Sequence, residues 1–356
     1  MEQLSQSLAT PPRERSESRA ANGWTEKEKM RSAHVSDGLR MRPEVEAALR
    51  QFLVDPMLEI KRRPSHRFRS DLVDVGYALV NGGLAPALRD RPNLSVCAES
   101  IEYLHLGSLI VDDIQDGSPV RRNGQALHCI LGAPHALGVG NWLYFYALRL
   151  IDELDLSPEL HCRLYKIYTK TVELAHYGQI MDLCVKIDQV SLDEVEALCQ
   201  DCSRYKTGSI VMLSMVMGAI VGGGDAERIE AVEEFGYELG TYLQFLNDLG
   251  NFCGSFDVEK KWEDLLAWKP SLIWAFVMHR YGVEPFRALQ QSVKNLPDAQ
   301  QLSLWMQEHD LVREAKSWAE ERFERASQSF CSASGMSASD LAPLLKLKER
   351  IKNAYV

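Results

Sequence analysis

The sequence predicts an all-α protein, folded for the most part as one large helical domain. Apolar residues recur at three- and four-residue steps through long blocks, while alternating Val/Ile/Thr segments bounded by turn dipeptides are scarce. Several blocks are apolar on nearly every side, which places them among other helices rather than at a surface. The chain has 356 residues, 46% apolar and 25% charged, enough for one large domain or two ordinary ones with ample core. A net charge of −10 leaves no basic surplus for neutralising phosphates, so no nucleic-acid partner is expected.

Residues 1–38 read as a disordered leader, polar and mixed in charge and without the apolar run of a secretory signal. Residues 39–356 form the all-α domain. The blocks "SVCAESIEYLHLGSLIVDDI" and "ALGVGNWLYFYALRLIDEL" carry the helical step. So do "PELHCRLYKIYTKTVELAHYGQIMDLCV", "LDEVEALCQDCSRYKTGSIVMLSMVMGAI" and "AERIEAVEEFGYELGTYLQFLNDLGNF". Ser157 and Ser191 stand at N-cap positions, and the glycines from Gly222 to Gly224 separate one helix from the next. "SIVMLSMVMGAIV" is the most apolar stretch, but it is too short to span a bilayer and contains two serines. It reads as a core helix, and no transmembrane segment is expected. No internal repeat emerges. Cys199 and Cys202 form a CxxC without a second pair or nearby histidines, so zinc is not expected. The eight cysteines read as small core residues of a reducing, cytoplasmic protein.

Against this apolar background the stretch "LIVDDIQDGSPVRR" stands out. Asp112 and Asp116 lie four residues apart and share one helix face, while Asp113 is turned away by about 100°. Two carboxylates one turn apart repel each other unless a cation sits between them. Mg²⁺ suits the position, because it takes oxygen ligands and completes its shell with water and substrate phosphates. Arg121 and Arg122 supply fixed positive charge for those phosphates. Further on, "YLQFLNDLGNF" offers a similar face, with Asn247 and Asn251 one turn apart, Asp248 beside Asn247, and Gln244 one turn earlier. Lys206, Lys260 and Lys269 are candidate phosphate donors.

These motifs, in this order, resemble the trans-isoprenyl diphosphate synthases (polyprenyl synthetases), most closely the geranylgeranyl diphosphate synthase type. "PSHRFRS", "LHLGSLIVDDIQDGSPVRR", "HYGQIMDL" (with Gly178, Gln179 and Asp182), "YKTGS", "FGYELGTYLQFLNDLGNF" and "EDLLAWKPS" carry the resemblance. It implies the isoprenoid synthase fold, a bundle of about ten or more helices around a deep central cavity, usually in a homodimer. It also implies a prenyltransferase in which two or three Mg²⁺ ions bridge two helices to an allylic diphosphate of about C15–C20. Asp112 and Asp116 would be metal ligands and Asn247 and Asn251 ligands on the second motif, with Asp113 and Asp248 as supporting catalytic carboxylates beside them. Arg121, Lys206 and Lys269 would hold the allylic diphosphate, with Lys260 alongside. Thr207 and Gln244 would sit near the reacting carbons. The acceptor, isopentenyl diphosphate, would be held by His66, Arg69, His105 and Arg122. Ser108 and Gly107, four and five residues before Asp112, would form the cavity floor. Both are small, so a chain of about C20 or longer fits, and Gly107→Phe should shorten it.

Two positions depart from the family pattern. His66 stands for a lysine, and histidine is mostly neutral near pH 7. Asn247 stands for an aspartate, so one metal should be held less tightly, although Asp264 in "EDL" is kept. Four readings remain. One is elongation with isopentenyl diphosphate, and another is prenyl transfer to an aromatic acceptor such as indole-3-glycerol phosphate. The third is class I terpene cyclisation, against which Ser255 counts because a glutamate is expected there. The last is a regulatory subunit of a heteromeric synthase.

Overall fold

The structure, a computed structural model, describes residues 41–65, 68–253, 261–296 and 298–355, with side chains described to 352. The expected leader, 1–38, lies outside the described residues. The chain divides into two compact units, Met1–Arg62 and Arg63–Val356. In the first, α1 (Pro43–Leu49) runs through a π-turn, Arg50–Val54, into α2 (Asp55–Arg62).

The second unit is the helical bundle that the apolar periodicity predicts. It opens with α3 (Phe68–Val80) and α4 (Arg91–Asp116). Pro92 at the start of α4 uses a position where no intrahelical N–H bond is needed, and Gly117, at φ 66°, ends the helix in the left-handed region. Next come a two-stranded hairpin, β1 (Val120–Arg121) and β2 (Gly124–Gln125), then α5 (Leu127–Leu131), α6 (Ala133–Arg149) and α7 (Pro158–Cys184). Ser157 caps α7 through its hydroxyl, as its position suggests. Ser191 is not a cap: α8 (Val195–Ser203) begins after Glu194.

A π-turn, Arg204–Gly208, joins α8 to α9 (Ser209–Val221), every residue of which from Ser209 to Ile220 is buried. That helix packs against α3 and against α10 (Ala226–Cys253) at the heart of the bundle, so its uniformly apolar composition reflects encirclement. The remaining helices are α11 (Glu263–Leu266), α12 (Leu272–Tyr281), α13 (Val283–Lys294), α14 (Gln300–Glu308), α15 (Leu311–Ser334) and α16 (Ala342–Tyr355). Among the described residues, only α4 is long and apolar enough to cross a membrane, and most of its apolar window is buried inside the protein.

The hairpin was not foreseen. Its register pairs Val120 with Gln125 and Arg121 with Gly124, and Arg122 and Asn123 both have positive φ, 51° and 59°. That is the backbone of a tight two-residue turn whose twist matches the strands. The Asn-Gly at 123–124 is a turn signal displaced by one residue, since the turn pair is Arg122–Asn123 and Gly124 already belongs to β2.

Candidate active site

A cavity of about 300 Å³ opens among α4, α7, the π-turn and α10. Along α4 its wall is a ladder at four-residue steps: Leu104, Ser108, Asp112, Asp116. The step equals one helical turn, so the apolar end of the face becomes a pocket and the acidic end becomes a mouth.

The mouth is a closed electrostatic network. Lys206 Nζ donates to Asp182 at 2.7 Å and lies 3.5 Å from Asp112. Lys269 Nζ lies 3.1 Å from Asp116 and 3.4 Å from Asp182. Arg121 donates from Nε to Asp113 at 2.8 Å and brings Nη2 within 3.6 Å of Asp112. Gln179 Nε2 donates to Asp112 at 3.0 Å. Burial alone would raise the pKa of Asp112, but Lys206, Arg121 and the Gln179 bond outweigh it and hold the carboxyl below its ordinary value. Burial would likewise lower Lys206 and Lys269, and Asp182 with its neighbours raises both above the normal lysine value. Asp113, turned from the cavity face and 2% exposed, anchors the Arg121 guanidinium. Asp182 is the carboxylate that ties the two lysines together. Its signal was its place one turn after Gly178 and three residues after Gln179, on the same stretch of α7.

Lys206 and Thr207 lie within the π-turn, which inserts an extra residue into the helical ladder, as π-turns often do at functional sites. Gly178 lets α7 approach it closely, for a Cβ there would stand 2.2 Å from the Lys206 backbone nitrogen.

The second motif is built differently. Thr207 Oγ1 donates to Gln244 Oε1 at 2.6 Å, and Gln244 Nε2 donates to Asp248 Oδ1 at 2.6 Å. Asp248 Oδ2 accepts from the Leu272 amide at 2.7 Å and from Ser271 Oγ at 3.0 Å, bracing the start of α12, whose N-cap is Ser271 itself. Burial and the nearby charge of Asp264 push Asp248 up to about 7 despite these three donors. Asp264 itself is pushed up to about 6, chiefly by burial. Asn247 and Asn251 both line the cavity.

On the acceptor side, Arg69 Nη1 lies 3.1 Å from His105 Nε2. Arginine can only donate, so Nε2 accepts and the ring proton sits on Nδ1. Burial, with Arg69, Arg122 and Arg121 nearby, holds His105 well below its usual pKa, in the neutral form. Arg122 sits on the hairpin turn. His66 and Lys260 lie outside the described residues.

Gly107 does not form the cavity floor. A Cβ on it would stand 2.9 Å from the Gly140 carbonyl and 3.0 Å from Leu143 Cβ, so it faces α6 at a close helix crossing. Five residues before Asp112 is a rotation of about 140° off the cavity face, whereas Ser108 at four residues stays on it. Tyr144 and His176, rings 5.5 Å apart and edge-on, also line the cavity and were not anticipated. Cys202 lines it as well, its thiol 3.5 Å from the Gly178 carbonyl, and Cys199 is buried behind.

An all-α bundle that matches solved polyprenyl synthases end to end has the isoprenoid synthase fold. A crystal structure of geranylgeranyl pyrophosphate synthase matches with a TM-score of 0.71 over 93% of this chain and 99% of that one, at 17% identity. The polyprenyl synthase from Caulobacter crescentus CB15, complexed with calcium and isoprenyl diphosphate, matches with a TM-score of 0.66 over 92% and 95%, at 18% identity. The family model described as polyprenyl synthetase matches residues 50–304, and the chain belongs to that family. Geranylgeranyl pyrophosphate synthase 2 of Zymoseptoria tritici is 29% identical over 231 residues, 63% of this chain and 63% of that one. Farnesyl diphosphate synthase of Geobacillus stearothermophilus is 32% identical over 163 residues, 44% and 54% of the two chains. The chain thus spans less than two thirds of the length of these curated relatives.

Proposed function

We propose that this chain transfers a prenyl group from an allylic diphosphate of about C15 to isopentenyl diphosphate, giving a geranylgeranyl-length product. One observation carries the reading: Asp112 and Asp116, paired with Lys206 and Lys269 at the mouth of the cavity, stand on the same α4 face as Leu104 and Ser108 within it. Names of relatives support the chemistry, geranylgeranyl and farnesyl diphosphate synthases among them.

Lys206, Lys269 and Arg121 would exchange carboxylate partners for phosphate oxygens and stabilise the charge that grows on the diphosphate as the allylic C–O bond breaks. Thr207 and Gln244, already bonded to each other, would present oxygen dipoles beside the reacting carbons. Leu104, Val111 and Ile210 would keep water from the allylic cation. Arg69, held by neutral His105, and Arg122 would receive the acceptor diphosphate.

Among the described residues no three His, Cys, Asp or Glu side chains close on one point as a finished metal site. Asp112 and Asp116, with the amide oxygens of Asn247 and Asn251, form an incomplete hard-oxygen set. That set suits magnesium, which leaves room in its shell for water and phosphate. When bound, the metal would further neutralise the leaving group. A divalent cation with a diphosphate in the Caulobacter crescentus structure is in keeping with this. Exposed Leu137 and Phe145 on α6, with Tyr177 and Ile180 on α7, supply apolar surface for a second copy in a homodimer.

Purified protein with Mg²⁺, farnesyl diphosphate and isopentenyl diphosphate should release geranylgeranyl diphosphate, and neither substrate alone should react. Product that requires indole-3-glycerol phosphate instead, or cyclic hydrocarbon formed with no acceptor, would overturn the choice of acceptor.

A further inference from the structure

We propose that Arg63 is a positioning residue for the diphosphate-binding arginines, acting through the backbone of the hairpin that carries them. The inference rests on the function proposed above. It concerns a residue outside every motif that points to the site, just before the "PSHRFRS" stretch.

Arg63 Nη1 donates to the carbonyl oxygen of Arg121 at 2.7 Å and to that of Gln125 at 2.8 Å. One nitrogen therefore holds both strands of the hairpin from outside the ladder. The hairpin needs such support. It has only two residue pairs, Val120 with Gln125 and Arg121 with Gly124, and isolated two-stranded hairpins are marginal in water. Arg121 is gripped at both ends: its carbonyl by Arg63, its guanidinium by Asp113. With the peptide plane fixed, the side chain crosses to the mouth, where Nη2 lies 3.6 Å from Asp112. Arg122 follows on the turn at φ 51°, so the direction of its side chain also depends on this anchored backbone.

Gly124 is shaped to the same contact. A Cβ there would stand 2.8 Å from Cζ and 2.9 Å from Nη1 of Arg63, so the guanidinium occupies the space a side chain would fill. Gly124 is not among the residues with positive φ, so alanine is tolerated by the backbone. Gly124→Ala should push the flexible end of Arg63 off the hairpin without breaking the fold, a second way of removing one contact. Charge-assisted bonds from a guanidinium to carbonyl oxygens are stronger than neutral ones, so the loss should be measurable.

The test uses the full chain with Arg63→Ala, Gly124→Ala, the double variant and Arg121→Ala. Binding of inorganic pyrophosphate in Mg²⁺ is followed by calorimetry, and exchange of the hairpin amides by mass spectrometry. Arg121→Ala should weaken pyrophosphate strongly. Arg63→Ala and Gly124→Ala should each weaken it about tenfold, raise KM for the allylic diphosphate more than they lower kcat, and speed exchange over 120–125 while α4 stays protected. The double variant should be no worse than Arg63→Ala alone, because both remove the same contact. If Arg121→Ala weakens binding while Arg63→Ala and Gly124→Ala stay within twofold of the unaltered chain with unchanged hairpin exchange, the positioning role is refuted and the diphosphate site stands. If Arg121→Ala has no effect either, the diphosphate reading falls, and this inference with it.

Discussion

Asp112 and Asp248 stand in stretches that read alike, each on a long helix at the edge of one cavity, yet their surroundings have little in common. Asp112 is held by Lys206, Arg121 and Gln179, two cations and an amide donor that could each turn from a carboxylate to another anion. Asp248 is tied to Gln244, Ser271 and the Leu272 amide, neutral donors that build the junction of α10 with α12. The pKa directions agree: cations hold Asp112 below its ordinary value, and burial pushes Asp248 up to about 7. A charge at the first motif can be handed to a ligand. At the second it is spent on architecture, and the position that would face the ligand, Asn247, has no charge to give.

The largest effect should come from the first motif. Asp112→Ala with Asp116→Ala should lower kcat about a thousandfold or more, the scale of losing electrostatic stabilisation at a reacting centre. The fold should survive, because Lys206 and Lys269 each keep Asp182 as a partner. Steady-state turnover and thermal melting of the same preparation check this together. Turnover within tenfold of the unaltered chain would erase the contrast between the two motifs.

Asp248→Ala should show the reverse pattern, stability first. It strands the Leu272 amide in a buried place and leaves the Ser271 hydroxyl proton without its acceptor, together about 2–4 kcal/mol. For a chain of this size that corresponds to a fall in Tm of roughly 3–5 °C. A melting point unchanged by Asp248→Ala, with pyrophosphate binding lost, would make Asp248 a ligand like Asp112.

How much of this contrast the sequence could show follows from helical geometry. Positions along one helix obey a fixed rotation, so the shared face of Asp112 and Asp116 and the outward turn of Asp113 were legible before any coordinates. The apolar block at 209–221 likewise announced a buried helix. Partners from distant segments were not legible. Nothing near Asp248 in the chain reveals that the start of α12, more than twenty residues on, takes its carboxylate. Arg63 is hidden for the same reason: its partners are carbonyl oxygens, which every residue has. Gly107 is an error of a different kind. The rotation was available, but family analogy placed the residue on the floor where the rotation did not.

That error gives the third prediction, smaller because it concerns shape rather than charge. Gly107→Ala should cost about 1–3 kcal/mol of stability by overpacking the α4–α6 crossing, with product length unchanged. Ser108→Phe should shorten the product by one isoprene unit with a smaller loss of stability. Chromatography of products beside thermal melts separates the two. A shorter product from a bulky residue at Gly107 but not at Ser108 would restore the discarded reading.

The smallest effect is the sharpest probe of the comparison. Asn247→Asp adds a carboxylate to the cavity face beside two acids that burial already pushes up, Asp248 to about 7 and Asp264 to about 6. In the absence of metal the new charge has acids for neighbours and should lower the melting point slightly. A divalent cation has the opposite interest, since a charged oxygen replaces an amide oxygen among its candidate ligands. The Mg²⁺ concentration that gives half-maximal pyrophosphate binding should fall about tenfold, the equivalent of roughly 1.4 kcal/mol. Saturating Mg²⁺ with pyrophosphate should recover the lost melting temperature by mass action. If the Mg²⁺ midpoint stays where it is, the cavity face of the second motif takes no part in holding metal. The site would then rest on Asp112 and Asp116 alone, with α10 contributing only its link to α12.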